Sequence, residues 1–89
     1  MSPRVLAEGA LIFWFHSHDA LHENRASVHV GKGSQSDHGD AKVWLEPEIE
    51  LGDPGRILSQ RELRHALKLI EDNLTFLLEE WYGYKRRAG

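Results

Sequence analysis

The chain has 89 residues, of which 40% are hydrophobic and 28% are charged, so it suits one globular domain and is too apolar for disorder. The absence of cysteine excludes disulfide scaffolds, thiolate metal sites and cysteine nucleophiles. The longest apolar run, residues 10–15, is too short for a membrane span or a secretory signal, and the net charge of −3 gives no global attraction to nucleic acid. We therefore expect a soluble, cytoplasmic, single-domain protein over residues 1–89.

The first half of the chain predicts a small antiparallel sheet over residues 10–51. Residues 1–9 lack periodicity and are expected to fray, whereas the apolar segment 10–16 reads as a strand with apolar side chains on both faces. The polar segment 17–25 is predicted as a loop, and residues 31–40 as a glycine-rich turn. Alternating apolar residues predict strands around Val28 and Val43, and residues 48–51 predict a weaker edge strand.

The second half predicts one long helix over residues 59–84, followed by a basic tail at 85–89. The sequence from Ser59 to Glu62 is a capping box, in which each residue can satisfy the backbone N–H of the other. An apolar stripe with helical spacing follows: Leu63, Leu67, Ile70, Leu74, Leu77, Trp81 and Tyr84. The predicted fold class is therefore α+β, with a three- to four-stranded antiparallel sheet packed on one C-terminal helix.

The lengths of the two layers do not match. A straight helix over 59–84 would be about 39 Å long, whereas strands of six or seven residues are about 20–23 Å long. Either the helix breaks, with Asn73 as the expected position, or its second half meets other apolar surface. Four apolar residues would then lack cover from the sheet, and either a second copy of the chain or the N-terminal segment and loops would have to cover them: Leu77, Leu78, Trp81 and Tyr84.

Several segments resemble the bacterial domain of unknown function 4160. They are Leu11–Phe15, Val28–Val30, Asp40–Pro47, Ser59–Arg64 and the end of the helix around Trp81, and together the likeness spans about residues 10 to 84. The resemblance implies a fold and a frequent association with toxin–antitoxin-type genes, but no established activity. Family members typically read Pro-Pro-His where this chain has Arg25-Ala26-Ser27, so Ser27 replaces one histidine of a His-x-His pair and His29 remains.

Six histidines invite a metal hypothesis, with His16, His18 and His29 as the candidate ligands. Loop histidines in solvent are the alternative, and no His-Glu-x-x-His spacing is present. The sequence also lacks a nucleophile elbow and a phosphate-binding loop, so we predict no catalytic residues and no cofactor, and the interpretation leans away from an enzyme. A metal-dependent hydrolase is the third hypothesis.

Basic residues suggest a second candidate function, nucleic-acid binding through a helix face. Arg61, Arg64 and Lys68 share one side of the predicted helix, and Lys85, Arg86 and Arg87 follow in the tail. A solvated face is the alternative interpretation of these charges.

The first hypothesis is a protein-interaction module that binds a partner protein or itself, as a homodimer. Trp14, His29 and Trp44 are predicted to point away from the helix, where aromatic anchors inside a polar rim are typical of an interface. The alternative is that one tryptophan turns inward. The predicted interface residues are Trp14, His29, Trp44, Leu77, Trp81 and Tyr84.

Overall fold

The computed structural model describes residues 4–36 and 39–88, and it has an α+β fold with five strands and three helices. The strands are β1 (Arg4–Glu8), β2 (Leu11–Trp14), β3 (Ser27–Lys32), β4 (Ala41–Trp44) and β5 (Glu50–Asp53). Helix α1 (Ser17–His22) lies between β2 and β3, and helices α2 (Gln60–Asp72) and α3 (Leu74–Ala88) follow the sheet.

The five strands form one antiparallel sheet in chain order, β1-β2-β3-β4-β5. The fold class is confirmed, but the predicted strand number is too small because β1 was expected to fray. Val5 and Leu6 of β1 are half-buried, and the strand pairs with β2 from Arg4↔Trp14 to Glu8↔Leu11. Residues 1–3 of the predicted frayed segment lie outside the described residues. The predicted edge strand near residue 50 is β5, which pairs with β4.

The sheet has an inner face, turned to α2 and α3, and an outer face. Val28 and Val43 are partners on the inner face, and both are fully buried. The main core combines this face with the helices, and its buried members are Leu11, Phe13, Phe15, Ala20, Ala26, Val28, Val30, Ala41, Val43, Leu45, Ala66, Ile70, Leu77 and Trp81.

Local signals determine where α2 begins. Ser59 Oγ accepts a hydrogen bond from the Glu62 backbone N–H (3.1 Å), and Glu62 Oε1 accepts one from the Ser59 N–H (2.9 Å), which confirms the predicted capping box. The Lys32 ammonium lies 2.6 Å from Glu62 Oε2. Its hydrogen bond, together with the cap, lowers the pKa of Glu62 to about 2.

The single long helix predicted over residues 59–84 is two helices in the structure, and the break near Asn73, one of the two alternatives left open by the mismatch of lengths, is the one observed. Asn73 caps α2, its side-chain amide donates to the carbonyl of Leu69 (2.8 Å), and α3 begins at Leu74. The break lets two shorter helices follow a sheet that one straight helix would overrun. Helix α3 continues through Ala88, so it includes residues 85–88 of the segment predicted as a basic tail. No helix among residues 4–36 and 39–88 is long and apolar enough to cross a membrane.

Candidate functional site

Trp14 lies on the outer face, as the alternation predicts, but the expected exposure is wrong. The side chain is fully buried, and its indole N–H donates to Asp40 Oδ2 over 2.9 Å. The ring stacks on His29, with the ring centroids 4.7 Å apart. Trp14 therefore belongs to a second, more polar core on the outer face.

Helix α1 covers part of this polar core. It lies within residues 17–25, the segment that was predicted to be a loop. Asp19 of α1 accepts a hydrogen bond from His29, with Nε2 and Oδ2 2.9 Å apart, and the two side chains are about nine-tenths buried. Lys42 Nζ lies 3.3 Å from Asp19 Oδ2 and 2.9 Å from Glu23 Oε1. These contacts fix α1 against β3 and β4.

The ionisation of this cluster follows from burial and charge. Burial lowers the pKa of His29 and outweighs the opposing hydrogen bond to Asp19, so His29 is neutral at pH 7. Burial alone would raise the pKa of Asp19, but the hydrogen bond from His29 and the charge of Lys42 prevail and lower it. The arrangement is thus a neutral imidazole that donates to a carboxylate, which a nearby ammonium neutralises.

Trp44 keeps partial exposure on the outer face. The Arg25 guanidinium and the Lys42 ammonium each lie 4.4 Å from the centre of its ring. Gly52 of β5 is close by, because a Cβ built there would lie 2.8 Å from Trp44 Nε1. The Trp44 ring is therefore held by two cations and a neighbouring strand.

The helix residues expected to be left over are covered within the protomer. Leu77 and Trp81 are fully buried, Tyr84 is half-buried, and Trp81 meets Phe15 edge-to-face with ring centroids 5.4 Å apart. The cover includes α1, whose Ala20 belongs to the same core. Cover by a segment of the same chain, one of the two alternatives, is what the structure shows.

The predicted metal ligands do not form a metal site. His16 is near His29 and His18, with ring centroids 5.6 and 6.3 Å apart, and its Nδ1 accepts from the His18 backbone N–H to cap α1. Nε2 of His29 is occupied by Asp19. Within the described ranges, no group of three or more histidine, aspartate or glutamate side chains is arranged to hold a metal ion.

The predicted nucleic-acid residues fall on two separate helices. On α2, Lys68 pairs with Asp72 (3.2 Å) and Glu71 (3.8 Å). On α3, Lys85 Nζ donates to the backbone carbonyls of Ala20 (3.1 Å) and Glu23 (2.8 Å), at the C-terminal end of α1. The remaining four are exposed: Arg61, Arg64, Arg86 and Arg87.

Sequence reasoning missed an open apolar groove between β5 and α2, which we call the β5–α2 groove. Two adjoining depressions of about 490 and 470 Å³ share Leu51, Arg64 and Leu67. Leu51 pairs with Val43 and therefore faces the helix side of the sheet, yet it is 39% exposed. The further lining residues are Ile49, Pro54, Gly55, Leu58, Gln60, Leu63, Lys68 and Glu71. Leu51 and Leu67 were visible as apolar positions, but no sequence signal showed that the helix leaves a gap beside them.

The structure is an α+β domain in which α2 and α3 cover the inner face of a five-stranded antiparallel meander, while α1 packs against α3 and reaches the polar cluster of the outer face through Asp19. Residues 10–82 match the family model described as Domain of unknown function (DUF4160). The chain belongs to this family, as the resemblance implied. No curated protein matches the chain, and no solved structure matches it.

Proposed function

We propose that this chain is a protein-interaction module that binds a partner protein through the β5–α2 groove. The observation that carries this proposal is the groove itself, in which Leu51 and Leu67 are accessible beside the charged side chain of Arg64. Apolar surface at the centre of a polar rim is the usual composition of a binding patch.

The burial of Trp14 and Trp81 supports placing the proposed interface in the groove instead of at these two residues. Trp14, Leu77 and Trp81 have no exposed surface with which to contact a partner while the protomer keeps this conformation. Trp44 and Tyr84 retain partial exposure and stay predictions as contact residues. Replacing Trp14 or Trp81 would therefore test the fold and not the interface.

The proposal is tested by selection from an unbiased library of displayed 16-residue peptides against the wild-type chain. Binders are then measured against Leu51→Ser, with Leu21→Ser as the matched control, because Leu21 is also exposed (47%) but lies on α1. Loss of one buried leucine contact is expected to weaken binding about 5- to 20-fold for Leu51→Ser and not for the control. Unchanged melting temperatures would show that both variants fold.

Selected peptides that bind both variants equally would contradict the proposal, as would a selection with no binders. In sedimentation the chain alone is expected to be a monomer, and a dimer that Leu51→Ser dissociates would assign the groove to a second copy. The toxin–antitoxin association implied by the resemblance would make the partner a product of a neighbouring gene, and it stays a prediction.

A further inference from the structure

We infer that the partner segment is an acidic amphipathic helix, which lies alongside α2 and covers the open end of the inner sheet face. This inference rests on the function proposed above and names the kind of partner that the β5–α2 groove fits. It follows from the length of the groove, from the construction of the sheet edge beside it and from the charges on its wall.

The length of the groove matches a short helix. Residues of α2 from Gln60 to Glu71 line it on one side, which corresponds to a rise of about 17 Å, or about three helical turns. Leu51 of β5 and Ile49, which lies just before that strand, form the opposite wall. A helix of about three turns would touch both walls with one apolar stripe, as helix-in-groove recognition requires.

The construction of β5 disfavours the alternative, an extended segment that joins the sheet as a sixth strand. Strand β5 has four residues, and the register of its pairing with β4 shifts at a bulge between Lys42 and Val43. Carboxylates stand at both of its ends, on Glu50 and Asp53. Short, bulged and charged edge strands are the features by which sheets prevent strand addition.

The charges beside the groove favour an acidic partner. Arg64 is exposed on α2 and lines both depressions of the groove, and its guanidinium forms no ion pair within the part of the chain that the structure describes. Lys68 and Glu71, which also line the groove, pair with each other and leave Arg64 as the uncompensated charge of the lining. Carboxylates that flank the apolar stripe of a partner helix could form charge-assisted hydrogen bonds with Arg64.

The same charges argue against two other occupants. A second copy that docked its own groove here would bring its Arg64 towards this Arg64, so like charges would meet. Nucleic acid would use the arginines but would leave the leucines of the groove in water, because its backbone offers phosphates and no apolar side chains. An acidic helix uses both features.

The experiment takes the groove-dependent peptides from the selection above and asks what they are. They are expected to repeat leucine-like residues at i, i+3, i+4 and i+7, to be rich in Glu and Asp between these positions, and to gain helical circular dichroism on binding. Arg64→Glu is expected to weaken them about tenfold, and peptides with Lys in place of Glu are expected to recover that loss. Arg86→Glu is the matched control, since Arg86 is an exposed arginine on α3 outside this groove.

Groove-dependent peptides that alternate with a period of two, stay non-helical or carry net positive charge would overturn the helix inference and leave the proposed function intact. If Arg64→Glu and Arg86→Glu weaken peptide binding equally, the acidic-helix inference is likewise overturned and the proposed function is left intact. Binding of a mixed-sequence duplex DNA that is lost in Arg64→Glu but kept in Leu51→Ser would assign the arginines to nucleic acid instead. A selection without groove-dependent peptides would remove the inference and the proposed function together.

Discussion

Replacement of Gly31 by alanine is expected to displace the carboxylate of Asp40 and to destabilise the outer face. A Cβ at position 31 would lie 2.2 Å from Asp40 Oδ2 and 2.7 Å from its Cγ, distances that force a movement. Gly31 does not have a positive φ, so the expected effect comes from this clash and not from backbone strain.

The hydrogen bonds that Asp40 would lose determine the magnitude. Its Oδ2 accepts from the indole N–H of Trp14 (2.9 Å) and from the backbone N–H of Ser36 (3.0 Å), and Trp14 is fully buried. A buried donor left without an acceptor costs about 1–3 kcal/mol. Ser36 is only half-buried, so the loss of its hydrogen bond costs less than the loss of the one from Trp14. We therefore expect Gly31→Ala to lower the free energy of unfolding by about 2–4 kcal/mol, out of a total of about 5–15 kcal/mol for a typical domain.

The assay is urea denaturation of Gly31→Ala, Asp40→Ala and the double variant. Because each single change removes the same hydrogen bonds, the double variant is expected to be no less stable than Asp40→Ala. The coupling energy then equals the effect of Gly31→Ala alone, about 2–4 kcal/mol. Gly33→Ala is the control: its Cβ would meet nothing within 4 Å, and its φ of +79° leaves only backbone strain, about 1–2 kcal/mol. Additive effects of Gly31→Ala and Asp40→Ala would refute the reasoning.

Three further predictions concern pH, the cap of α2 and the attachment of α1. Burial lowers the pKa of His29 in the folded chain, whereas in the unfolded chain this histidine takes up a proton near pH 6.5. The free energy of unfolding should therefore fall as the pH drops below about 6.5, and His29→Gln should flatten that slope in urea titrations at successive pH values. Ser59→Ala should lower the free energy of unfolding by about 1 kcal/mol in the same assay, and an unchanged midpoint would contradict the role of the cap. Lys85→Met should speed amide hydrogen exchange in α1 while α2 keeps its protection, whereas equal exchange in both helices would show that the lysine does not hold α1.

The parts of the fold that local sequence encodes were predictable. The capping box gave the start of α2 because its two hydrogen bonds join residues three apart. Alternation placed Val28 and Val43 on the inner face and Trp14 on the outer face. A break near Asn73 was one of two alternatives that followed from comparing the length of the helix with the size of the sheet, and the comparison alone did not decide between them.

The parts that tertiary contacts stabilise were not predictable. Helix α1 has six residues and no apolar period. Two residues outside the helix hold it: His29, which is 10 residues from its partner Asp19, and Lys85, which is 65 residues from its partner Ala20. Because α1 was expected to be a loop, the outer face was expected to be open and its tryptophan exposed. The β5–α2 groove depends on how α2 lies across the sheet, which the stripe does not specify.

Lys85 donates hydrogen bonds to the backbone carbonyls of Ala20 and Glu23 at the end of α1, which lie 65 and 62 residues before it in the sequence. During synthesis on the ribosome the residues of β2, α1 and β3 emerge first. They lack the two hydrogen bonds from Lys85 until that residue has left the exit tunnel. During this interval the cover that α1 provides for Trp14 and its polar neighbours is incomplete. A nascent chain halted just before position 85 would thus present to chaperones and proteases a surface that the finished protomer conceals.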